Sequence, residues 1–129
     1  MAFAVRRSIA YSFDGIITYN TQIFNEGNGM DLVQGVFTAP IKGGYFFAFT
    51  STSGKLEEST HVNVYKNGKA EFSMVDTETV TYNYHTLSGS WGLNLNVGDT
   101  VHLEVSAGHL SVYNIWYLNF SGHLVKAFD

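Results

Sequence analysis

The chain of 129 residues contains no cysteine. That excludes disulfides, thiol catalysis and cysteine-based zinc sites together. It leaves the compartment open, because a domain with a large core needs no disulfide to persist outside a cell. Proline occurs once, and no low-complexity stretch, linker or internal repeat is present. Basic residues are also few: seven Lys and Arg stand against eleven Asp and Glu, for a net charge of −4. They are scattered, with Arg6-Arg7 the one adjacent pair. Phosphate neutralisation needs a basic patch, so nucleic-acid binding is disfavoured. No apolar run reaches the roughly 18 residues of a membrane-spanning helix. The opening MAFAVRRSIAYSFDG lacks the basic, apolar and small-residue order of a signal peptide. The length predicts a single domain over residues 1–129, able to bury about two-thirds of its unfolded surface.

What is present is aromatic and glycine-rich: 16% Phe, Trp and Tyr, and 13 glycines. A disordered chain would be far poorer in aromatics. Val62 and Val64 alternate with polar residues before Asn67-Gly68, a strong hairpin signal. Leu93, Leu95 and Val97 alternate before Gly98-Asp99, and Val101, Leu103 and Val105 after it. This predicts a second hairpin, with Asn94, Asn96, His102 and Glu104 on its wet face. No helical apolar spacing persists beyond about one turn. The expected strands are 2–8, 15–19, 34–39, 44–51, 61–66, 69–76, 82–95, 100–106 and 117–126. Short antiparallel strands with glycine turns predict an all-β, two-sheet jelly roll.

The segment GVFTAPIKGGYFFAFT, residues 35–50, raises a packing problem. Along a strand, Tyr45, Phe47 and Phe49 share one face and Phe46 and Ala48 the other. Both faces are apolar, and a sandwich strand has one core to serve. The second face is covered either by a loop or terminal strand, or by a partner surface, most simply another copy of the chain.

FNEGNGMDLVQGVFTAPIKGGYFFAF resembles the signature of the globular head of complement C1q, with Gly35, Phe37, Thr38, Ala39, Pro40, Gly44, Tyr45 and Phe47 at matching positions. LNLNVGDTVHLEV is similar to that family's leucine-alternating segment with a Gly-Asp turn. NFSGHLV resembles its final strand through Phe120, Ser121, Gly122 and Leu124. The motifs keep the family's order across almost the whole chain. Departures are Met30 where a tyrosine is usual, His123 where an aromatic is usual, the missing cysteine and the absent collagen stalk. The resemblance implies a ten-stranded jelly roll like that of tumour necrosis factor, packed as a homotrimer. In that architecture one sheet of each subunit packs around the three-fold axis. It assigns Tyr45, Phe47 and Phe49 to the trimer interface.

Five histidines, His61, His85, His102, His109 and His123, show neither H-x-H nor H-E-x-x-H spacing, and no G-x-S-x-G is present. Enzymatic activity is therefore not expected. Asp76 and Glu78 lie two apart, sharing a face if the strand continues, and paired carboxylates suit calcium. The resemblance places an acidic calcium ligand near Glu78, with His85 where an oxygen donor would be expected. A solvated acidic loop is the other reading. Tyr82, Tyr84 and His85 are candidate ligand contacts, since tyrosines stack on sugar rings and offer a hydroxyl. Filling the core or an interface is the other reading, and the commoner role for such tyrosines. Asn119-Phe120-Ser121 has the glycosylation pattern but falls in an expected strand, so it is read as unused.

The expected function is a secreted, non-enzymatic homotrimer. It acts as an innate-immune lectin for microbial or self glycans such as lipopolysaccharide, mannose or sialic acid, with calcium as the one cofactor suggested. The alternative is a hormone-like or extracellular-matrix trimer with a protein receptor.

Overall fold

The computed structural model describes residues 1–8, 12–53, 59–76, 85–111 and 118–129. Its strands are β1 (Ala2–Arg7), β2 (Ser12–Ile16), β3 (Thr21–Glu26), β4 (Met30–Asp31), β5 (Val36–Thr38), β6 (Gly43–Ser53), β7 (Thr60–Lys66), β8 (Lys69–Asp76), β9 (His85–Leu95), β10 (Thr100–Ser111) and β11 (Leu118–Ala127). Among the described residues there is no helix, and hence none long and apolar enough to cross a membrane.

Two antiparallel sheets pack face to face as a jelly roll. The first runs β3-β1-β11-β6-β9. The second is built on β10, with β7 and then β8 on one side and β2 and β5 on the other; β4 pairs beyond β5. A short link, Leu110 opposite Ser53 and Ser111 opposite Thr52, joins the sheets at one corner.

Alternation decides which side chains enter the core. In β1, Phe3, Val5 and Arg7 turn inward while Ala2, Ala4 and Arg6 turn outward. Arg7 sits at the strand end and donates to the Thr18 carbonyl (2.9 Å) and hydroxyl (2.7 Å). The centre of the core is aromatic: Phe3 lies 5.0 Å from both Phe37 and Phe120, ring centre to ring centre. Phe47 stacks on Trp91 at 5.8 Å and on Phe120 at 6.0 Å. Gly122 is required in this setting. A Cβ there would lie 2.6 Å from the Phe47 ring and 2.8 Å from Phe3, so the rings occupy the space a side chain would need.

The Asn67-Gly68 signal is met in detail. Both residues have positive φ (52° and 80°), the geometry of a type I′ hairpin turn, between paired β7 and β8. The Gly98-Asp99 signal marks a turn of a different kind. β9 pairs with β6 in one sheet and β10 with β7 in the other, so this turn carries the chain across the sandwich. The expected β9–β10 hairpin is corrected accordingly, and Val97, expected inside, is two-thirds exposed on the crossing. β3 and β4 were not expected. In β3 the register shifts against β1, leaving Ile23 and Phe24 adjacent and both half exposed, which destroys the period of two. β2 begins and ends earlier than the expected 15–19, although Ile17 and Tyr19 beyond it remain buried.

Asp99 ties the two turns together. Its carboxylate accepts from the Asn96 backbone N–H (2.8 Å) and the Asn67 side-chain amide (3.2 Å). These bonds, the backbone one foremost, hold its pKa below the ordinary value. A depressed folded-state pKa contributes stability above the unfolded-state value of about 3.9, and that contribution is lost as pH falls through the folded-state value. Asp99→Ala should therefore be less stable than the parent in urea at neutral pH, and the gap should close on strong acidification. A gap independent of pH would refute this role for the carboxylate.

Candidate functional site

β6 separates two environments. Tyr45, Phe47 and Phe49, expected at the trimer interface, are 2%, 0% and 1% exposed within their own chain. The Tyr45 hydroxyl donates to the Ile41 carbonyl at 2.6 Å. That assignment is corrected: these rings face the opposing sheet and are already covered. The opposite face carries Phe46, 41% exposed, and the half-buried Ala48.

The register shows what surrounds them. One row across the sheet reads Phe24, Ala4, Ser121, Ala48, Ser90. The next reads Glu26, Ala2, His123, Phe46, Gly92. On the other side lie Arg6, Asn119, Thr50 and Ser88, with Arg6 Nε donating to Asn119 Oδ1 at 2.8 Å. The outward residues of β6 and β9 are uncharged. Among the described residues, charge on this face appears toward the margins, at Arg6, Glu26 and Lys126. The rings of Phe46 and His123 sit 6.1 Å apart. Beside Phe46, Gly44 and Gly92 leave an open hollow of about 320 Å³, bordered by Asn94 and Val125. The middle of the face is small-residued and uncharged apart from Phe46 and His123, with Phe24 exposed at its β3 edge.

Of the sequence-predicted ligand and metal residues, Asp76 closes β8 and His85 opens β9. β6 ends at Ser53 opposite His85, which opens β9. β1 ends at Arg7 opposite Leu118, which opens β11. β10 ends at Ser111 opposite Ser12, and β8 ends at Asp76 opposite Thr60. The strand ends flanking 9–11, 54–58, 77–84 and 112–117 therefore converge. Glu78, Tyr82 and Tyr84 lie outside the described residues, as does the side chain of His85. Asp76 is half-buried at the end of β8. Calcium takes six to eight oxygens, and among the described residues no group of three or more His, Asp or Glu is placed to hold a metal. Asp76 by itself does not make such a site. Asn119, in the sequon, lies in β11 between β1 and β6, where its side chain already accepts from Arg6.

A second polar cluster lies on the outward face of the other sheet. His102 Nε2 and Glu104 Oε2 are 2.8 Å apart, and the Tyr65 ring stacks on the imidazole at 4.9 Å and 6°. The H-x-E spacing put His102 and Glu104 on one face, but Tyr65 joins them through the β7–β10 register, which no local pattern reveals. As a partly exposed pair it contributes on the order of 0–1 kcal/mol.

The C1q domain family model matches residues 2–125. Complement C1q tumor necrosis factor-related protein 3 of Mus musculus is 33% identical over 109 residues, covering 84% of this chain and 44% of that protein. The chain thus spans less than half the length of the curated relatives it matches. The globular domain of zebrafish complement 1qA superposes with a TM-score of 0.79 at 22% identity, covering 98% of each chain. Murine APRIL superposes with a TM-score of 0.71 at 13% identity, covering 93% of this chain and 96% of its own. These two structural likenesses speak to the fold.

Proposed function

The chain belongs to the C1q domain family, and on that premise we propose that it is a secreted, non-enzymatic recognition module working as a homotrimer whose subunits meet through the outward face of the β3-β1-β11-β6-β9 sheet. The observation that carries the assembly is the face itself. Phe46 stands 41% exposed beside His123, among alanine, serine, threonine and glycine, with no charge on the outward side of β6 or β9. Exposed apolar surface of this kind marks contact sites, and small side chains let a neighbouring surface approach closely. A neutral face also loses little hydration on burial.

The ligands proposed are microbial or self glycans such as lipopolysaccharide, mannose or sialic acid. Tyr82, Tyr84 and His85 are the proposed contacts, with calcium drawn to Asp76 and Glu78. Support comes from the family and from tyrosine's fitness for sugar rings. Three identical weak sites on one trimer gain by avidity on a repetitive surface. The test is a glycan and lipopolysaccharide array, run with calcium and with chelator. Selective binding is expected, reduced by chelator and by Tyr82→Ala or Tyr84→Ala. A blank array from a folded, assembled protein would defeat the glycan reading. The second reading, a hormone-like or matrix trimer with a protein receptor, is favoured by the relative's designation as a C1q tumor necrosis factor-related protein.

A further inference from the structure

We infer that Asn28, ahead of Gly29 in the turn from β3 to β4, is a site of spontaneous deamidation, and that the fold shields Asn67, ahead of Gly68, from the same reaction. Asparagine before glycine is the pairing most open to this chemistry, because glycine has no side chain to screen the attacking backbone nitrogen. The chain contains two such pairs, Asn28-Gly29 and Asn67-Gly68.

The two asparagines share a backbone conformation. Among the described residues they are the two non-glycine positions with positive φ, at 55° and 52°. What differs is the hold on the side chain. The Asn67 carboxamide is fixed at both ends. Its Oδ1 accepts from the Thr100 backbone N–H at 2.9 Å, and its Nδ2 donates to Asp99 Oδ1 at 3.2 Å. The Asn67 backbone N–H also donates to the Thr100 carbonyl at 3.0 Å. The amide carbon is thus held toward the crossing turn at Asp99-Thr100 and away from the Gly68 nitrogen. Asn28 is exposed, and among the described residues no hydrogen bond engages its side chain. Its carboxamide can rotate onto the Gly29 nitrogen.

The reaction needs no partner but water. The Gly29 backbone nitrogen gives up its proton to solvent and bonds to Asn28 Cγ. The Cγ–Nδ2 bond breaks, and the nitrogen takes up a proton and leaves as ammonia. Water then opens the five-membered imide at one of its two carbonyls. Opening at the main-chain carbonyl leaves a β-linked backbone, and opening at the side-chain carbonyl restores the ordinary one. Either product carries a new carboxylate on the β3–β4 turn. At Asn67 both side-chain hydrogen bonds must break before the ring can close, which slows the reaction on the order of tenfold.

The experiment holds the purified protein in mildly alkaline buffer, folded in one arm and unfolded in urea in the other, with circular dichroism confirming each state. Peptide mass spectrometry over several weeks reads the amide-to-acid mass change at each asparagine, and chromatography separates the β-linked product. In the folded arm Asn28 should convert while Asn67 lags on the order of tenfold. In urea the two should convert at similar rates. Asp99→Ala, which removes one hold on the Asn67 carboxamide, should speed conversion at Asn67 and leave Asn28 as in the parent. Survival of Asn28 in the folded arm overturns the inference, whether or not it converts in urea. Equal rates at the two sites in the folded parent overturn it as well. A folded Asp99→Ala protein with no acceleration at Asn67 would overturn the shielding by the carboxamide's hydrogen bonds.

Discussion

Phe47→Ala is expected to remove about 3–5 kcal/mol of stability, read as a large fall in the denaturant midpoint. Phe47 is fully buried in the middle of β6. Its ring meets Trp91, Phe120, Tyr45, Phe37 and Phe3, all within 6.3 Å between centres. Truncation removes the transfer free energy of the ring and leaves a cavity. The neighbouring rings are too rigid and too tightly bounded to fill it. Domains of this size have about 5–15 kcal/mol in total, so the variant should be marginal. Phe47→Leu, which retains much of the volume, should fall between the two. A Phe47→Ala protein within 1 kcal/mol of the parent, on the order of an exposed substitution, would mean the aromatic cluster is not the centre of stability.

One residue earlier, the expected result reverses. Phe46→Asp should leave the fold intact and abolish assembly. The side chain already meets solvent in the single chain, so the carboxylate remains hydrated there and costs little. In the assembly each copy would bury a carboxylate against small uncharged residues. An unpaired buried charge costs several kcal/mol, repeated in every subunit. The check is molar mass by light scattering alongside thermal unfolding of the diluted chain. A drop to monomer mass with a native spectrum is expected. A Phe46→Asp protein that remains assembled would remove the β3-β1-β11-β6-β9 face from the interface. Loss of the fold would show that Phe46 belongs to the core.

These two neighbours also mark where sequence reasoning succeeds and fails. Alternation correctly sorted Tyr45, Phe47 and Phe49 from Phe46 and Ala48. It could not say which set faced the core, because both are apolar and periodicity carries no inside or outside of its own. The more aromatic set was assigned to the interface, and the structure puts it in the interior. The Asn67-Gly68 turn was legible because type I′ geometry needs φ > 0 at both central positions, a demand local enough to be written in two residues. The Gly98-Asp99 turn was equally visible, yet its destination was not. Whether a turn returns a strand to its neighbour or sends it to the opposite sheet depends on remote pairing. β3 escaped notice for a related reason, since its bulge against β1 broke the only pattern that announces a strand.

The chain's composition and local spacing by themselves determined an all-β domain, the positions of most strands, one hairpin turn and the family to which the motifs belong. These depend on alternation, on glycine's access to positive φ and on residue order, all properties of neighbouring positions. The tertiary structure alone decided which face of β6 is core, that β9 and β10 lie in different sheets, that Tyr65 stacks on His102 and that His123 stands beside Phe46. Each of those is a contact between strands far apart in the chain. Register and sheet order emerge only when the hydrophobic faces of all the strands are buried at once, and no single segment contains that information.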